Sequence, residues 1–141
     1  MLRRSRKATV VDPDLGELTR SRGWWRGSVR LDPHGMVPLA VPGSRAGPDP
    51  DAVALARSIQ LELDRCRVPL REALDEHRTA YEDAEPAAPG DARPTYASVM
   101  VLDGHLTIEI GLDVHWDEEH TLGAHLRGGR LIELSGSVLE P

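Results

Sequence analysis

Between residues 107 and 116 apolar side chains alternate with polar or small ones: Ile108, Ile110, Leu112, Val114 and Trp116 against Thr107, Glu109, Gly111, Asp113 and His115. A period of two over ten residues predicts a strand with one face on a core and the other turned outward. Leu122, Ala124 and Leu126 carry the same alternation onward, so a hairpin is expected, with both apolar faces on one core. Placing Trp116 opposite Leu122, Val114 opposite Ala124 and Leu112 opposite Leu126 matches those faces through an odd-length loop around residues 118–120. That register makes Asp113 and His125 cross-strand neighbours on the outer face, beside His115.

The strands on either side follow from their turns. Residues 96–102 meet the central strand through the two-residue turn Asp103-Gly104, which sets Val101 opposite Leu106, Val99 opposite Ile108 and Ala97 opposite Ile110. After Leu126 the chain turns at residues 127–129 into a strand at 131–134. Ile132 is then expected to face Ala124 and Leu134 to face Leu122, and residues 135–141 extend an edge. In the first third, residues 15–20, 24–31 and 36–41 read as three strands, with 8–11 as a candidate edge strand ahead of Asp12-Pro13. Trp25, Gly27, Val29 and Leu31 share one face of the second of them. Trp25 is thus expected in the core and Trp24 in a more exposed position.

A change of period marks the helical region. Asp49 suits an N-cap, Pro50 the first helical position and Asp51 the positive end of the helix dipole. From there Val53, Ala56, Ile59, Leu63, Cys66, Leu70, Ala73 or Leu74, His77 and Tyr81 keep three-and-four spacing. The stripe runs through Pro69 without losing phase. Pro69 cannot donate to the carbonyl of Arg65, so a break is expected at residues 67–69, within one long kinked helix or between two collinear ones. Residues 85–94 form a Pro- and Ala-rich linker. The order β-β-β-α-β-β-β-β predicts an α+β domain, residues 8–141, in which a mostly meander antiparallel sheet carries its helix on one face, preceded by a flexible basic tail at 1–7.

Composition narrows the function. The 141 residues suit one domain. Arg3, Arg4, Arg6 and Lys7 hold four positive charges, so the remaining chain bears −10 against the −6 of the whole. An acidic body disfavours nucleic acid, whose affinity comes largely from neutralised phosphates. No apolar run reaches the roughly 20 residues of a membrane span, and the basic start lacks a signal-like apolar segment. A cytoplasmic location is expected. Cys66, the only cysteine, falls on the helical stripe and reads as a buried apolar residue.

Residues 94–126 contain no lysine or arginine, while Asp103, Glu109, Asp113, Asp117, Glu118 and Glu119 supply carboxylates and His105, His115, His120 and His125 supply imidazoles. A solvated sheet face with a charged turn accounts for this composition. A metal site from Asp113, His115 and His125, with Asp117 or His120, is chemically sound for zinc or another divalent ion, although His115 and His120 do not have helical metalloprotease spacing. His77 on the apolar stripe reads as a hydrogen-bonded core histidine. No nucleophile-elbow pattern surrounds Ser98, Ser135 or Ser137, and Gly128-Gly129 reads as a hairpin turn, not a phosphate loop.

The pieces LGELTR, GWWRG and WDEEHTLGA, followed by LIELSGSVL, resemble a bacterial domain-of-unknown-function family that pairs an N-terminal W-x-G segment with a C-terminal WDEEHT-type hairpin. The resemblance covers most of the chain outside the tail and linkers. It picks out Trp25, Gly27, Trp116, Asp117, Glu118, Glu119, His120 and Thr121, and implies no catalytic role for any of them. The expected function is a non-enzymatic binding module, similar in style to immunity proteins. It would use Trp24, Asp117, Glu118, Glu119 and His120 against a basic protein partner, without a cofactor. The alternative is a metal-dependent enzyme with its His/Asp site on the outer face of the 107–126 hairpin. Oligomeric state is not legible.

Overall fold

The computed structural model of the protein describes residues 7–81 and 92–141. Apart from Lys7, the expected tail lies outside the described residues, as do residues 85–91 of the expected linker. The elements are β1 (Thr9–Asp12), β2 (Gly16–Ser21), β3 (Trp24–Leu31), β4 (Gly35–Val41), β5 (Gly43–Ser44), β6 (Gly47–Pro48), α1 (Pro50–Arg57), α2 (Ile59–Arg65), α3 (Arg67–Arg78), β7 (Arg93–Leu102), β8 (His105–Val114), β9 (Asp117–Arg127) and β10 (Arg130–Ser135).

Eight strands form one sheet in the order β1-β2-β3-β4-β7-β8-β9-β10, while β5 and β6 pair as a small separate hairpin. Two four-stranded meanders therefore meet at β4 and β7. That central pair is parallel, Leu39 lying beside Ala97 and Ala40 beside Ser98. The expected antiparallel sheet is thus a mixed one, and the candidate edge strand at 8–11 is β1, so four strands of this sheet precede the helices where the order β-β-β-α counted three. A chain that leaves one strand through helices can re-enter beside it in the same direction, which a tight hairpin never allows. Asp12 secures the first strand: its carboxylate accepts the amides of Asp14 and Leu15 and is paired with Arg57 on α1. That pairing with Arg57 holds Asp12 at about 2, well below the ordinary 3.8.

Helices cover one face of the sheet, and the core lies between. Leu18, Trp25, Leu31, Leu39, Val99, Ile108, Ile110, Leu122 and Leu126 are buried there against Ala56, Ile59, Leu63, Cys66, Leu70 and Leu74. The helical stripe from Val53 to Leu74 and the inward alternation of β8 and β9 are those the periodicity predicts. Asp49 caps α1 by accepting the Asp51 amide, and Pro50 takes the first position. The run is divided into three helices, at Ser58 and at Cys66, where ψ swings to about zero. At Cys66 the break falls just before the expected place, so Pro69 sits in the first turn of α3, where its missing N–H removes no bond. The Ser58 break has no proline behind it; the Ser58 hydroxyl donates to the Leu55 carbonyl there. No helix among the described residues is long and apolar enough to cross a membrane.

Registers decide what reaches the outer face. β7 and β8 pair as expected, Val99 opposite Ile108 and Ala97 opposite Ile110, with Asp103 and Gly104 both at positive φ as a type I′ turn needs. β8 and β9 do not. Ile108 faces Leu126, Ile110 faces Ala124 and Leu112 faces Leu122, and Val114 then faces Asp117 across a tight turn at His115 and Trp116. The inward faces are preserved because the slip is even in residues, but every outer neighbour changes. Residues 118–121 stand against Asp113 alone, so the excess length is a bulge in β9. In β10, Ile132 is bulged out and Leu134 faces Ala124 instead of Leu122. Residues 136–141 do not extend the edge as expected but turn back across the helix-free face. Val138 donates its amide to Thr121, and Arg26 reaches the Pro141 backbone oxygen at 2.6 Å.

Candidate functional site

Two groups of ionisable side chains arise from these registers. The first is the β8–β9 end, where bulge residues 118–121 project. Asp117 is buried at its root, and Oδ1 accepts the backbone amides of Glu119 and His120. Oδ2 accepts the Tyr81 hydroxyl at 2.6 Å, and His120 Nδ1 lies 3.0 Å away. The Tyr81 bond, joined by His120 and the amide of Glu119, outweighs burial and holds Asp117 below the usual carboxylate range. Tyr81 is pushed up by the same bond. Asp117 is therefore a structural anchor, not the exposed contact residue expected of it.

Glu118, Glu119 and His120 are exposed on that anchored bulge. The carboxylates of Glu118 and Glu119 make no hydrogen bond or ion pair with any described residue. Behind the bulge Trp116 is half-buried against the core and donates its indole N–H to His77 Nδ1 at 2.9 Å. An accepting Nδ1 places the proton of neutral His77 on Nε2. His77 is the hydrogen-bonded histidine its place on the stripe implied. His115 is exposed in the turn, its ring edge-on to Trp116. Trp24 is half-buried on the outer face of β3, at the far side of the sheet.

The second group is a row across the helix-free face. Arg26, Ala40, Ser98, Glu109, His125 and Glu133 are successive cross-strand partners from β3 to β10. His125 Nε2 lies 2.8 Å from Glu109 Oε2, and its Nδ1 lies 3.1 Å from Glu133 Oε1 without the alignment of a hydrogen bond. Tyr96 donates its hydroxyl to Glu109 Oε1 at 2.5 Å. The bond to Glu109 outweighs burial and raises His125 above 6.5. Burial pushes Glu109 up, but the bonds from His125 and Tyr96 together outweigh it and bring it below 4.5. Burial first, and then Glu109, hold the Tyr96 hydroxyl far above its ordinary value, so it stays a donor.

This row replaces the expected Asp113, His115 and His125 cluster. Asp113 lies four residues further along β8 than Glu109, where it accepts the Thr121 hydroxyl and pairs loosely with exposed Arg93. Among the described residues no three His, Cys, Asp and Glu side chains are grouped to hold a metal ion. Ser98 Oγ is buried without a partner, and Glu109, not His125, is its neighbour. A serine nucleophile needs the imidazole beside it, so the order Ser, Glu, His supplies no triad.

Two glycines make room for the row, and they were the available sequence signal for it. Gly111 and Gly123 face each other across β8 and β9. A Cβ on Gly111 would lie 2.2 Å from the Tyr96 ring, and one on Gly123 would lie 2.4 Å from Val138. Glycine inside a strand marks just such a close approach. The result is an α+β protein with a split-meander mixed sheet, an anchored acidic bulge at one end and a covered polar row on its free face. Comparison with protein-family models, curated proteins and solved structures finds no match.

Proposed function

We propose that the protein is a non-enzymatic binding module whose acidic bulge, Glu118 and Glu119 with His120, engages a basic surface on a protein partner in the cytoplasm. The observation that carries this reading is the anchoring: buried Asp117 fixes the backbone of the bulge, while the carboxylates of Glu118 and Glu119 have no hydrogen-bond or ion-pair partner among the described residues. Carboxylates presented on a held backbone lose little freedom on binding. Exposed acidic charge also accelerates encounter with a basic partner. The resemblance to a family with a WDEEHT-type hairpin agrees in giving weight to this segment, and an immunity-like neutralising role would suit its chemistry.

The test uses Glu118→Lys with Glu119→Lys. Proteins captured from the source cell by the wild type but not by the double variant are purified, and association is measured at low and moderate salt. Association with the variant is expected to slow by about tenfold or more and to lose most of its salt dependence. Equal association rates for a folded variant would remove the bulge from any interface.

A further inference from the structure

The row on the helix-free face is covered by a segment held far more lightly than the strands beneath it. Residues 136–141 cross the sheet from β10 towards β3. Their backbone has one amide bond to the sheet among the described residues, from Val138 to Thr121. Val138 sits on Gly123, the Leu139 carbonyl lies 3.4 Å from the Tyr96 hydroxyl, and Arg26 donates to the Pro141 oxygen. Leu139 is 90 % exposed. By contrast, β8 is paired along both of its edges. Segments with few buried contacts and few protected amides open at free energies well below global unfolding.

Beneath this strap the group that can neutralise Glu109 among the described residues is His125, when its imidazole is protonated. His125 faces Glu109 from β8 and Glu133 from β10; Tyr96 from β7 reaches it through Glu109; and Glu140 of the strap adds negative charge near Tyr96. Arg127, on the same strand as His125, is engaged by Thr107 and the Leu102 carbonyl. Once His125 loses its proton, Glu109 is left as a buried carboxylate with no positive partner. Such a charge requires water, and the strap is the lightest cover to move.

We propose that residues 136–141 form a pH-responsive strap that releases as pH rises, opening the Tyr96, Glu109 and His125 row while the sheet stays folded. Loss of the imidazolium charge supplies the driving force, and the sequence Ser135-Gly136-Ser137 supplies the hinge.

Amide hydrogen exchange of the full chain, corrected for intrinsic rates, tests this. Between pH 6 and pH 9 the protection of the Val138 amide is expected to fall by about tenfold or more relative to Ile110, because loss of the imidazolium charge weakens the covered form and leaves the open form unchanged. Glu109→Gln, which leaves no buried anion, is expected to abolish that difference. Parallel loss at Val138 and Ile110, or an unchanged response in a folded Glu109→Gln variant, would overturn the proposal. Should that variant not fold, cleavage of the wild type within residues 136–141 is compared with cleavage of a free peptide of that sequence. Faster relative cleavage at pH 9 supports release, and equal relative cleavage at both pH values overturns it.

Discussion

His125 and Glu109 stand directly opposite each other on β9 and β8, both almost fully buried, with Nε2 2.8 Å from Oε2. The pair ties the two strands together on the face that no helix covers. A group raised in the folded state stabilises below its unfolded value, and that contribution fades as pH climbs through the folded value. For His125 it is thus complete below 6.5 and fades above it. For Glu109, lowered in the folded state, it is complete above 4.5 and fades as pH falls through the lower folded value. Urea midpoints measured across pH are expected to be highest between these limits and to decline on both sides. His125→Gln leaves Glu109 buried without its cation and is expected to lose about 3–5 kcal/mol near pH 6. A flat pH profile for the wild type would show that the pair contributes no net charge interaction.

The glycine trough gives a second expectation. Gly111→Ala drives a methyl into the Tyr96 ring and should lose about 1–3 kcal/mol. Tyr96→Ala removes the obstacle, so in the double variant the alanine at 111 should cost much less. A double-mutant cycle measures the coupling. Additive losses would mean that the ring already moves aside freely.

The acidic bulge separates anchor from display. Asp117→Ala strips the Tyr81 hydroxyl and two backbone amides of their acceptor, and a loss of about 1–3 kcal/mol is expected. The reversals Glu118→Lys and Glu119→Lys should each stay within about 0.5 kcal/mol of wild type. Thermal melts at one pH compare the three. Equal destabilisation by all three would make the whole bulge structural.

The tryptophans should rank by burial and bonding. Trp25 is in the core with its indole N–H on the Ser44 carbonyl, so Trp25→Ala is expected to lose about 3–5 kcal/mol. Trp116→Phe keeps most of the packing but leaves His77 Nδ1 without its donor, and about 0.5–1.5 kcal/mol is expected. Chemical denaturation of the two variants checks the order.

By itself the chain determined its local periods and therefore its faces. The alternation at residues 107–114 and 122–126 placed Ile108, Ile110, Leu122 and Leu126 on the core side, and the stripe from Val53 to Leu74 placed the helices over them. Asp49-Pro50 and Asp103-Gly104 are local signals read correctly because cap and turn geometry depend on adjacent residues. Register between β8 and β9 is different in kind. Shifts by an even number of residues keep every apolar side chain inward, so the inward pattern cannot choose among them. Asp117, Tyr81 and the turn at His115-Trp116 made that choice, and it brought His125 to Glu109 instead of Asp113. The parallel junction of β4 with β7 and the return of residues 136–141 over Gly123 were likewise decided by contacts between segments far apart in the chain. Those distant contacts are where both the anchored bulge and the covered row come from.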